Sequence, residues 1–115
     1  MIYEGSCHCG NIAFEVEGDF RQGVDCNCSL CRRRGGLLAF VARDKFKLTT
    51  PQESLSTYTF NSHIITHRFC GTCGVAPFGE GVLPNGDAMA SINLRCIPAI
   101  DLGALDIVPY DGQSR

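Results

Sequence analysis

Three cysteines stand at C-x-C-x-x-C spacing in "VDCNCSLCRRRGG", residues 24–36, and three arginines follow directly. Cys26, Cys28 and Cys31 are an odd set for disulfides, and a tetrahedral zinc takes four ligands. Zinc with three protein ligands and one open position is the catalytic pattern, in which water or substrate completes the tetrahedron. The thiol of a small-molecule substrate suits that position, because zinc holds soft sulfur and lowers its pKa toward the thiolate. Arg32, Arg33 and Arg34 supply guanidinium groups, which grip carboxylates through paired bonds and offset the charge of a thiolate cluster. An anionic thiol such as glutathione satisfies both features. Consecutive arginines point in different directions, so at least one of the three belongs to solvent.

A second cysteine set lies in "CHCG" and "FCGTCG", about sixty residues apart. Cys7, Cys9, Cys70 and Cys73 together make a closed four-thiolate site, which clips two distant segments and acts as structural zinc. Such a site contributes on the order of 10 kcal/mol in apparent binding terms. On a strand Cys7 and Cys9 face one side, and Gly71 and Gly74 let the knuckle backbone turn toward the sulfurs. Cys96, in "NLRCIP", is a candidate fourth ligand for the triad, although a lone cysteine on an apolar strand is more often a small core residue. Asp25 offers either an oxygen ligand or an acceptor behind the ligands. His8 falls at an exposed lip. His63 and His67 are candidates for proton transfer as well as for plain packing.

Length and charge set the frame. A chain of 115 residues is one domain, spanning 1–115, with a loose tail from about 112. Ten Lys and Arg against twelve Asp and Glu give a net charge of -2, which argues against a nonspecific nucleic-acid binder. The start, "MIYEGSCHCG", shows neither a positive n-region nor an apolar h-region, and no apolar run reaches membrane-spanning length. The expectation is a cytoplasmic chain without a membrane partner, where free thiols persist and clustered ones hold metal.

The positioning elements read mostly as strands. Ile12, Phe14 and Val16 alternate in "NIAFEVEG"; "LLAFVAR" is apolar enough for a buried strand; "KFKLTT" alternates around Phe46 and Leu48. "LSTYTF" and "HIITHRF" flank a turn signal at Asn61 and Ser62 and form a hairpin. Pro84, Asn85 and Gly86 mark another turn, followed by a strand with Ala90, Ile92 and Leu94 on one face. Only "LCRRRGG" and "DLGAL" suggest helical turns, so the fold class is all-β.

The motifs "GSCHCGNIAFEV", "DCNCSLCRRRG", "FCGTCG" and the closing "INLRC", in this order from about Gly5 to Asp111, resemble the glutathione-dependent formaldehyde-activating enzyme family, which includes centromere protein V-like proteins. The resemblance implies a β-tent fold of coiled antiparallel sheets and two zinc sites. Cys7, Cys9, Cys70 and Cys73 match that family's structural ligands; Cys26, Cys28 and Cys31 match its catalytic ones. It also implies a carbon–sulfur lyase type reaction that joins glutathione and formaldehyde into S-hydroxymethylglutathione. Two other classes stay open: a glutathione or thiol carrier without turnover, and a zinc-stabilised interaction module.

Overall fold

The computed structural model of the chain describes residues 1–60 and 64–114. The elements run β1 (Ile2–Ser6), β2 (Ala13–Glu17), β3 (Gln22–Cys26), α1 (Cys31–Arg34), β4 (Leu38–Ala42), β5 (Phe46–Leu48), β6 (Leu55–Tyr58), β7 (Thr66–Cys70), β8 (Phe78–Val82), β9 (Ala88–Asn93) and β10 (Asp106–Tyr110). The fold is all-β, with one short helix and scattered 3-10 turns among the described residues. A three-stranded sheet, β1-β2-β5, packs on a seven-stranded one ordered β10-β3-β4-β9-β8-β7-β6.

The alternation in "NIAFEVEG" does what its period demands: Phe14 and Val16 are buried, and Glu15 and Glu17 face outward. Phe46 of β5 stacks on Phe14 at 5.2 Å between ring centroids and meets Phe78 of β8 at 4.4 Å, so an aromatic trio joins the two sheets. Ala90, Ile92 and Leu94 are fully buried, as their shared face predicts. Burial of each large side chain here is worth about 1.5–3 kcal/mol. Glu80 adds a polar tie, accepting from Arg43 at 2.7 Å and from Arg68 at 2.9 Å.

Several expectations change. "CHCG" does not open a strand. Cys7–Gly10 lies in the turn between β1 and β2, and the first strand is the unanticipated Ile2–Ser6. The expected hairpin exists as the antiparallel pairing of β6 with β7, while its turn at Asn61 and Ser62, like His63, falls outside the described residues. The sheets are not wholly antiparallel, because β10 runs parallel to β3 with Tyr110 opposite Cys26. Segment 111–114, expected as a loose tail, is tied to the body: Asn27 Nδ2 donates to Asp111 at 3.1 Å, and the Gln113 amide donates to Asn27 Oδ1 at 2.9 Å. The apolar run "LLAFVAR" predicts a buried strand, yet only one face is covered. Ala39 and Val41 pack on the core, while Phe40 is 56% exposed.

Candidate active site

Cys7 and Cys9 come from the β1–β2 turn, Cys70 from the end of β7 and Cys73 from the turn that follows. Their four sulfurs lie within 4.8 Å of one another. Zinc–sulfur bonds of about 2.3 Å place tetrahedral sulfurs about 3.8 Å apart. The observed separations, 3.8 Å for Cys7–Cys9 and 3.5 Å for Cys9–Cys70, fit that tetrahedron. Backbone amides complete the knuckle as its chemistry requires: Thr72 N and Cys73 N both approach Cys70 Sγ at 3.4 Å, and Ile12 N approaches Cys7 Sγ at 3.3 Å. Of the two knuckle glycines, Gly74 alone is left-handed, at φ 80°.

Thiol acidity follows those amides. Backbone bonds from Val75 and Cys9 pull Cys73 down to about 6, and those from Cys73 and Thr72 lower Cys70. Cys9 rises to about 11: the backbone bond at Asn11 lowers it, but desolvation and the Cys70, Cys7 and Cys73 sulfurs outweigh that pull. Four crowded sulfurs cannot all carry charge without a cation among them. A divalent, thiophilic metal resolves that conflict.

The second cluster repeats the logic with one ligand fewer. Cys26 ends β3, Cys28 follows in a bend and Cys31 begins α1; their sulfurs again lie within 4.8 Å of one another. Cys28 N approaches Cys26 Sγ at 3.5 Å, and Cys31 N approaches Cys28 Sγ at 3.3 Å. Burial opposes ionisation of Cys28, yet the Cys31 amide and thiol hold it below the ordinary thiol range. Burial and the Cys28 sulfur push Cys31 upward. Among the described residues no fourth Cys, His, Asp or Glu joins the group. Three sulfur donors with one position left fit zinc at an open site.

The other candidates separate cleanly. Cys96 is buried in the core, where desolvation and then the charges of Cys7 and Cys73 raise it to about 11; it neighbours the four-cysteine cluster and not the triad. Asp25 is exposed and alternates with Cys26 along β3, so its carboxylate faces away. His8 is exposed. Of the arginines, Arg33 Nη1 bonds back to the Ser29 carbonyl at 2.7 Å and Arg32 is exposed; Arg34 alone lines the cleft, its guanidinium 5.8 Å from the Phe69 ring centroid.

That cleft, about 930 Å³, opens on the uncovered face of the seven-stranded sheet, with the triad at one end. His67 lies in its wall, stacked on Phe60 at 5.4 Å, and burial followed by the Arg34 charge lowers its pKa below the ordinary 6.5. The imidazole is therefore neutral at pH 7. Tyr110, Gly112 and Asn93 line the cleft too and went unnoticed in the sequence. Tyr110 and Gly112 reach the triad only through the β10–β3 pairing, and no local pattern announces it. Asn93 is a clamp: its Nδ2 donates to the Ala76 carbonyl at 3.2 Å and its Oδ1 accepts from Arg95 N at 3.1 Å.

A family model described as glutathione-dependent formaldehyde-activating enzyme matches residues 2–105, a stretch that contains both cysteine clusters. Among solved structures, the crystal structure of a Rhodobacter sphaeroides protein, a Northeast Structural Genomics target, is similar at 29% identity with a TM-score of 0.80. That alignment covers 93% of this chain and 98% of the other.

Proposed function

This chain belongs to the glutathione-dependent formaldehyde-activating enzyme family, and on that premise we propose that it is a zinc-dependent carbon–sulfur lyase that joins glutathione or a related thiol to formaldehyde or a related aldehyde. The observation that supports this reading is the convergence of Cys26, Cys28 and Cys31 at the end of a cleft, with no fourth ligating side chain beside them among the described residues. Zinc held by these three sulfurs supplies a soft Lewis acid that lowers the pKa of an incoming thiol. Cys7, Cys9, Cys70 and Cys73 hold a structural zinc in this reading.

The chain's own side chains account for the rest. Arg34 offers one bidentate site for a thiol's carboxylate, and Arg32 and Arg33, directed elsewhere, take no part. As the thiolate attacks the carbonyl carbon, a carbon–sulfur bond forms and the π pair moves to oxygen. The proton lost from sulfur ends on the new hydroxyl. Among the described residues that line the cleft, neutral His67 and the Tyr110 phenol can relay it. A carrier without turnover has no need of such groups, so their presence favours the enzyme. Eight unpaired thiols suit a reducing cytoplasm.

Zinc analysis of freshly reduced protein, with and without a glutathione titration followed calorimetrically, tests the reading. Two zincs per chain and saturable glutathione binding that is lost in Cys28→Ser support it. One zinc and no thiol binding replace it with a zinc-stapled interaction module.

A further inference from the structure

β4 is apolar on both faces and covered on only one. Its Ala39 and Val41 go to the core, whereas Leu38 and Phe40 face the cleft. The ladder continues this open face across the sheet: Leu38 stands opposite Asn93, Phe40 opposite Ser91, and Ser91 opposite Gly79. Met89 and Gly81 pair in the next row. From Asn93 at the triad's end to Met89 the floor runs about 13 Å, at a strand rise of about 3.3 Å per residue. Glycine keeps it deep, because a Cβ at Gly79 would fall 2.9 Å from Ser91 Oγ. Ile65, Val82 and Leu83 form the rim at 49%, 55% and 44% exposure, so a row of large apolar side chains meets water.

The charged groups in the cleft are few. Among the described residues that line it, Glu80 is committed to Arg43 and Arg68, His67 is neutral, and Arg34 is left as the one cation. Glutathione carries two carboxylates and an ammonium; laid along the floor, these would lose water without gaining partners. Arg34 and the triad can seat the thiol at their own end, leaving the apolar length empty. Formaldehyde has no carbon beyond its carbonyl to fill it.

Resting on the lyase reading above, we infer that the carbonyl partner is an aldehyde bearing an alkyl or aryl body, which lies over Leu38, Phe40 and Met89. The reaction is RSH + R′CHO giving RS–CH(OH)R′: one C–S bond forms, the carbonyl π bond breaks, and the thiol proton passes to the hydroxyl oxygen. R′ is the part the cleft selects.

Two measurements test it on the zinc-loaded full chain. The first is kcat/KM with glutathione for propanal through octanal, carbonyls of similar intrinsic reactivity, with formaldehyde alongside. It should rise by about four-fold for each methylene buried, and the octanal-to-propanal ratio should collapse in Phe40→Asp. A flat series with formaldehyde turned over overturns the inference and leaves the lyase reading standing. The second uses octan-1-ol, an unreactive stand-in for the aldehyde body, and the two methionine methyl resonances. Saturable shifts at Met89 but not at exposed Met1 are expected, again lost in Phe40→Asp. If octanol binds so while neither thiol binding nor turnover is found, the apolar site stands and the lyase reading falls. No shift at Met89 overturns the inference, as does a dimer that buries Phe40 and excludes octanol.

Discussion

Gly112 lies directly against Cys26: a Cβ on this glycine would fall 2.6 Å from the Cys26 sulfur and 3.2 Å from the Cys28 Cβ. The backbone of the last residues thus forms a wall of the triad, and no side chain fits between them. Asn27, placed between two of the cysteines, holds that wall through Asp111 and Gln113.

Gly112→Ala should therefore displace Cys26 or lift the segment from it. Zinc affinity at the triad is expected to fall about 10- to 100-fold, as for losses of supporting groups around metal ligands, while the four-cysteine site keeps its metal. Chelator competition on two-zinc protein reads both sites at once. Equal release from both would show that the wall matters to the whole fold and not to the triad.

The two clusters differ in what they hold together. Cys70→Ser removes one of the four sulfurs proposed to hold zinc between the β1–β2 turn and the end of β7, and should lower Tm by roughly 10 °C or more. Cys28→Ser lies in the short segment from β3 to α1, with Gly112 beside it, and should leave Tm within about 4 °C while thiol binding disappears. Differential scanning calorimetry of both variants decides; unfolding of Cys28→Ser would reverse the roles.

Arg34 faces the cleft and its two neighbours do not. Arg34→Ala should weaken glutathione binding by about ten-fold, the loss of one charge-assisted pair, with Arg32→Ala and Arg33→Ala near wild type. Titration calorimetry on the three variants checks this, and equal losses would place the thiol on the outer surface of α1.

Acid should destabilise the protein in two windows. His67 has a folded pKa below its ordinary 6.5, so the unfolded chain binds the proton first and stability declines as pH falls below 6.5. Glu80 is lowered as well: burial opposes its ionisation, but Arg43 and Arg68 outweigh it. Its contribution, complete above 4.5, is lost as pH drops through the folded value. His67→Gln should flatten the upper window and Glu80→Gln the lower one. Glu80→Gln should also cost about 1–3 kcal/mol at pH 7, since both arginines lose a charged acceptor. Urea titrations from about pH 2 to 8 resolve the two.

If His67 relays the proton, kcat/KM should fall on the acid side with a midpoint below 6.5, and His67→Gln should lower the rate about 10²-fold while removing that limb. A variant with full rate and an unchanged profile would leave His67 as a packing residue on Phe60.

Cysteine spacing is a local property, and it made both sulfur clusters legible. C-x-C and C-x-x-C overlap at Cys28 and make a triad within one turn, while the separate C-x-C at Cys7 and C-x-x-C at Cys70 each bring two sulfurs together and complete a set of four only as a pair. Alternation likewise announced β2, β5 and the face of Ala90 and Ile92. The strands that escaped notice, "IYEGS", "QGVDC", "FGEGV" and "DIVPY", carry Gly, Asp or Pro, which weaken strand propensity. Their extension is imposed by partners, and Pro109 is tolerated because β10 is an edge. The apolar run of β4 was visible, but whether a second layer covers it depends on how the sheets pack. The same holds for the choice of Arg34 over its neighbours and for Gly112 beside Cys26. Tertiary structure alone decided these, because each joins positions far apart in the chain that only ladder pairing and sheet packing bring together.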